Sequence, residues 1–198
     1  VRQRAFGPID EAVNSTLMNW IQKASPHVVV NNFLLTWGLR FEPEVVREDA
    51  LAWIRRNPAQ FQTHYLLVAL CNCKLVSDDV RKCVLAWLEA FPRSTHASFI
   101  LRAWLDATKE GEFVRNSIAR WLAVETNCTL PEASFLFQAW LDATKDGEFV
   151  RDSIERWLAI ETNQTLPEAE FVFTAWLDAT KDGEFVRNSI ERWFAIET

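Results

Sequence analysis

The sequence predicts an all-α fold of about eleven helices, stacked as antiparallel pairs in a single domain spanning residues 1–198. Three observations predict it: a segment that recurs almost unchanged with a period of 36 residues, a ladder of tryptophans in step with it, and prolines confined to the gaps between apolar segments of helical period. The near-identical copies begin ASFILRAWLDATKEGEFVRNS at Ala97, ASFLFQAWLDATKDGEFVRDS at Ala133 and AEFVFTAWLDATKDGEFVRNS at Ala169. They divide the C-terminal half into repeats 94–129, 130–165 and 166–198. Residues 1–93 hold diverged copies, in which Val-Arg followed six residues later by Trp recurs as Val80-Arg81 with Trp87 and Val46-Arg47 with Trp53, and Val13 with Trp20 is a last echo.

Taken in chain order, an unpaired helix comes first and five helical hairpins follow. The second helix of each unit carries one Trp of the series Trp20, Trp53, Trp87, Trp121, Trp157 and Trp193. Trp37, Trp104, Trp140 and Trp176 share one position of the first helix. In the last repeat, residues 170–181 place Phe171, Val172, Ala175, Trp176 and Ala179 on a broad apolar face, leaving a polar stripe of Glu170, Thr174, Asp178 and Lys181. That first helix is predicted to be mostly buried. Residues 184–197 group Phe185, Val186, Ser189, Ile190, Trp193 and Ile196 opposite a wider polar face, an amphipathic outer helix. The breaks agree with this reading. Pro8, Pro26, Pro43, Pro58, Pro92, Pro131 and Pro167 all fall between helices, where a missing N–H costs little. Gly111, Gly147 and Gly183 stand where a helix is predicted to end in a left-handed residue. Thr129 with Glu132, and Thr165 with Glu168, have capping-box spacing.

Composition excludes several classes. At 49% hydrophobic and 24% charged, the 198-residue chain is too apolar for disorder and must bury a core. It has no run of 18 apolar residues, so no transmembrane helix is expected. The opening VRQRAFGPID has no apolar stretch of signal-peptide type, and four cysteines with no sign of export read as free thiols; both point to a cytoplasmic protein. The absence of an initiator Met points to a fragment or a processed chain. A net charge of −6 argues against nucleic-acid binding, which needs clustered Lys and Arg. Residues 1–93 hold 11 basic and 9 acidic residues (+2) and residues 94–198 hold 10 and 18 (−8), so a charged partner of the C-terminal half is expected to be basic.

Aligned through KDGEF, Ala169, Gly183, Phe185, Ala195 and Ile196 occupy places typical of the tetratricopeptide repeat, and the ladder contains two spacings of 34 residues, that family's repeat length. The chain therefore resembles the tetratricopeptide-like right-handed α-solenoids, with a HEAT-type repeat as the nearest alternative. It departs from the family at Trp176 and Asn188, where the family has small residues. The resemblance implies a non-catalytic scaffold that binds a protein or peptide on a concave surface lined by first helices. Stacked hairpins imply the same surface on physical grounds alone.

The predicted lining is the polar stripe: Ser98, Arg102, Asp106 and Lys109; Ser134, Gln138, Asp142 and Lys145; Glu170, Thr174, Asp178 and Lys181; and, in a diverged repeat, His64, Val68 and Asn72. Of 33 paired positions in the last two repeats only five differ, and two of these, Ser134/Glu170 and Gln138/Thr174, lie on the stripe, as specificity positions would. The plainer alternative is that each Asp pairs with the Lys three residues on. Leu35 and Leu39, after Asn31 on the equivalent stripe, with Val68 would make an apolar patch. Two other functions are compatible with the repeats. An uncapped C-terminal repeat would allow end-to-end self-assembly, and near-identity between copies also fits a consensus-type array with no ligand of its own.

Hidden chemistry is not indicated. Cys71, Cys73, Cys83 and His64 lack zinc-knuckle spacing, and the cysteines fall at small or apolar repeat positions. Cys128 reads as an exposed loop thiol. His27, His64 and His96 stand near starts of first helices without a nucleophile at motif spacing, so no catalysis and no cofactor is expected. The N-x-S/T triplets at Asn14, Asn127 and Asn163 read as helix-capping loops rather than glycan acceptors.

Overall fold

A computed structural model describes residues 28–187 together with 15, 16, 19, 190 and 191, the side chains in the first helix from Asn32 onward. The Val13–Trp20 echo, His27, the Asn14 triplet, Trp193, Ile196 and the side chain of Asn31 lie outside the described residues. Among the described residues the regular structure is all helical, with no strand. The longer helices are α1 (Val28–Phe41), α2 (Pro43–Arg56), α3 (Thr63–Asn72), α4 (Asp78–Ala90), α5 (Ala97–Thr108) and α6 (Gly111–Leu122), then α8 (Ala133–Thr144), α9 (Arg151–Leu158) and α11 (Glu168–Thr180). Two one-turn helices, α7 (Glu125–Cys128) and α10 (Glu161–Gln164), and a 3₁₀ turn (Glu148–Val150) were not foreseen. Helix α7 contacts both α6 and α9. The 36-residue repeats therefore spend their extra length on a short third helix, which in α7 is wedged between the successive second helices α6 and α9. First helices pack on first helices: α1 on α3, α3 on α5, α5 on α8, α8 on α11.

Indole N–H groups close the ends of the hairpins, at both ends in α8–α9. The second-helix N–H groups of Trp87, Trp121 and Trp157 donate to carbonyls just before their own first helix: Gln60 and Phe61, Ser94, and Leu130, at 2.8–3.1 Å. The first-helix Trp140 and Trp176 donate to Asp146 and Asp182 in the turn, at 2.8 and 2.9 Å. All five rings are buried, so each carries a large apolar burial and a satisfied polar atom at once. Trp37 differs from the other first-helix tryptophans. It is only partly buried and packs edge-on against Phe41.

Neighbouring repeats are joined by the Arg of each Val-Arg pair. Arg81, Arg115 and Arg151 reach into the next turn and pair with Glu110, Asp146 and Asp182 at 2.7, 2.9 and 3.3 Å. Each guanidinium lies over that repeat's Phe113, Phe149 or Phe185 at 4.4–4.7 Å, a cation–π contact. Asn127 and Asn163 add a second joint. They are 2% exposed, and each amide donates to the end of its own second helix (Trp121, Trp157) and to the preceding inter-repeat loop (Arg93, Thr129). These triplets are internal clasps, which burial keeps from a glycan.

Several expectations are corrected. The glycines do not take left-handed backbone; Lys74, Lys109, Lys145 and Lys181 do, with φ of 58–61°. Gly111 and Gly147 answer to space instead, since a Cβ would sit 2.2 Å from Thr144 Cγ2 and 2.3 Å from Thr180 Cγ2 in the next repeat. The capping boxes do not form: Glu132 and Pro167 precede α8 and α11 without a side-chain cap, and the Thr129 and Thr165 hydroxyls donate back to Glu125 and Thr162. Cys128 is fully buried, its thiol directed at the Ser153 carbonyl, because the unforeseen α7 turns it inward. Leu35 and Leu39 are buried, since α1 is rotated relative to the aligned register.

One repeat breaks the pattern informatively. Glu110 stands where the later repeats have Asp146 and Asp182, whose Oδ1 accepts from the N–H of Phe149 and Phe185. With the longer side chain that cap is missing, and the buried Trp104 Nε1 has no partner. Glu110→Asp is therefore expected to stabilise the protein by about 1 kcal/mol through the restored cap, read as a higher midpoint in urea.

Candidate functional site

The exposed face of the first helices is where repeated side chains meet solvent, and its composition differs from the predicted stripe. Ser98 and Ser134 are buried, their hydroxyls donating at 2.7 Å to the Thr95 and Pro131 carbonyls three residues back. They leave the stripe, although Glu170 at the same repeat position is exposed. The place next to it is taken by an aromatic: Phe99 (48% exposed) and Phe171 (43%), with Phe135 half-buried between them. Tyr65 (52%) and Phe33 (66%) continue the series on α3 and α1. The wheel reading of Phe171 as core is thus overturned. A helix apolar on most sides gives its wheel no unique orientation, so nothing in one repeat marked which aromatic faced out.

The rest of the face is polar. Arg102 and Gln138, both partly buried, and the exposed Thr174 form the next level, and the exposed Asp106, Asp142 and Asp178 the one after. Lys109, Lys145 and Lys181 end it at the left-handed residue of each helix. Asp142 and Asp178 approach the lysines three residues on at 4.0 and 3.8 Å, and Asp106 approaches Arg102 at 3.6 Å. Such exposed pairs contribute little, so the carboxylates stay available. The Arg102 guanidinium lies 4.7 Å from the Phe135 ring in the following repeat, and Phe135 and Phe171 stand 6.4 Å apart. Aromatic and polar groups of adjacent repeats form one connected surface.

At its N-terminal end the face deepens into a cavity of about 680 Å³ between α1, α3 and α5, lined by Phe33, Trp37, Tyr65, Val68 and Phe99, with His64 and His96 among its walls and Arg40, Asn72 and Cys73 also lining it. Val68 and Asn72 of the predicted site lie here. His64 lines it too, but is 2% exposed, with Nδ1 at 2.6 Å from the Phe61 carbonyl and Nε2 unpartnered. Burial lowers its pKa against the pull of that hydrogen bond, and His96 beside it lowers it further.

The cysteines do not converge. Cys73 and Cys83 thiols contact the Leu39 and Ile54 carbonyls, and burial pushes the Cys71 thiol up to about 12. Among the described residues no three His, Cys, Asp or Glu are placed to hold a metal ion, and no helix is long and apolar enough to cross a membrane. Compared with protein-family models, curated proteins and solved structures, the chain matches none.

Proposed function

We propose that this chain is a non-catalytic protein- or peptide-binding scaffold: a right-handed, tetratricopeptide-like α-solenoid that serves as the sensing or interaction module of a larger cytoplasmic protein. It needs no cofactor. The observation that carries the reading is the row of solvent-facing aromatics, Phe33, Tyr65, Phe99, Phe135 and Phe171, one on each successive first helix. Large aromatics set regularly among polar groups are what a monomeric surface avoids and an interface uses. Successive first helices pack at roughly 8–10 Å, a step of about three residues of extended chain. The row thus suits an extended segment that presents an apolar side chain at that interval and basic groups toward the Asp level.

Peptides selected from a random display library against the full chain test this. Phe135→Ser and Phe171→Ser are each expected to weaken the selected peptides by about tenfold or more, as loss of an interface anchor does, and Asp142→Ala by less. Glu155→Ala on the second helix serves as a control without effect. Equal affinity for all variants, with helicity unchanged, would overturn the reading.

A further inference from the structure

The cavity between α1, α3 and α5 does not recur in the later repeats: Arg40, His64 and His96 have no counterparts of the same type on α8 or α11, and Trp37 lines it where Trp140 and Trp176 of the same series are fully buried. A repeated row suits a ligand that repeats, whereas a singular cavity suits a singular ligand. We infer that it binds a small amphipathic carboxylate, a molecule with a planar apolar body, one carboxylate at one end and a hydrogen-bond donor at the other.

Size, charge and an unmet polar atom each support this. At about 680 Å³ the space lies within the range of small-molecule sites, and its walls of Phe33, Trp37, Tyr65 and Phe99 supply flat apolar contact. No Asp or Glu lines it, in a chain of net charge −6. Its permanently charged group is Arg40, which makes no ion pair among the described residues. A guanidinium on an apolar wall binds a planar carboxylate through two parallel N–H donors, and Asn72, in the last turn of the neighbouring α3, adds an amide.

The other end is His64. Because the Phe61 carbonyl only accepts, Nδ1 carries the proton of this hydrogen bond, which leaves the unpartnered Nε2 as a bare acceptor on a side chain that is 2% exposed. Such an atom seeks an O–H or N–H. His64 and Asn72 are eight residues apart on α3, about 12 Å along the axis, which sets the length of the molecule. The cavity shares Phe33, Tyr65 and Phe99 with the aromatic row, but the inference uses neither Phe135, Phe171 nor the Asp level, on which the peptide test reads.

Titration calorimetry on the full chain tests it, with indole-3-butyrate as the probe and its methyl ester, its N-methyl derivative and tryptamine as comparisons. The acid is expected to bind. The ester, the N-methyl acid and tryptamine are each expected to bind at least tenfold more weakly, as is the acid to the exposed-site variant Arg40→Gln, with helicity checked. Glu155→Ala, on the second helix and away from the cavity, should bind the acid like the parent chain. Absence of heat at about 1 mM probe, equal binding of acid, ester and amine, or an unaffected Arg40→Gln would each overturn the inference. Binding of only a peptide ending in Trp, and not of the free acid, would overturn it in favour of a chain terminus.

Discussion

Gly147→Ala is expected to destabilise the protein by about 2–3 kcal/mol, the upper part of the usual range for overpacking, although the new residue suits the backbone. Gly147 has φ −68° and ψ −33°, ordinary helical values, and at such a site Ala normally stabilises by about 0.4–1 kcal/mol through the unfolded state. Packing reverses the sign. The added Cβ would meet Thr180 Cγ2 at 2.3 Å and Trp176 Cζ3 at 3.3 Å. Neither can yield: the Thr180 hydroxyl donates to the Trp176 carbonyl and accepts from the Asp182 N–H, while the Trp176 indole is tied to the Asp182 carbonyl. Gly183, at the same repeat position, has among the described residues only Leu177 Cδ2 at 3.7 Å, so Gly183→Ala is expected to be neutral or stabilising. Urea unfolding of both variants reads the contrast. Thr180→Ser, which removes the obstructing methyl and keeps the hydroxyl, should restore most of the loss in Gly147→Ala; a failure to do so would place the cost elsewhere.

Trp157→Ala is expected to cost about 4–5 kcal/mol, near the top of the range for large-to-small core changes. The ring is fully buried, and the change also strips the Leu130 carbonyl of its donor at the mouth of the α8–α9 hairpin. A built-in comparison separates the two contributions. Trp140 and Trp104 occupy one repeat position and are equally buried, but only the Trp140 N–H has a partner. Trp140→Phe should therefore cost about 1 kcal/mol more than Trp104→Phe, the net worth of one hydrogen bond. Equal losses would show that the indole hydrogen bonds contribute nothing beyond the packing of the ring.

Much of the architecture was legible because it repeats. A period of 36 residues, a tryptophan per helix and prolines between helices each reflect local propensity or burial, and copies reinforce one another where a single helix would be ambiguous. Pro43 does open α2, Trp87, Trp121 and Trp157 are core, and Asp106, Asp142 and Asp178 do face solvent. The repeats also hid something. Asn127 and Asn163 looked like loop residues, and Gly111 and Gly147 like turn residues, because their true partners lie one repeat away and no local pattern points to them.

By itself, then, the sequence determined the helical class, the 36-residue period, the hairpin pairing and the solvated Asp level, all consequences of hydrophobic period and backbone preference along a short stretch of chain. Only the tertiary structure decided which side of each first helix is inside. That choice buries Ser134, Leu35 and Leu39, exposes Phe99 and Phe171, and opens the cavity beside Trp37 and Tyr65. The reason is geometric. A first helix is flanked by its own second helix and by first helices on both sides, so it is apolar over most of its circumference. The remaining open arc is then set by where neighbours stand rather than by which of its residues are polar.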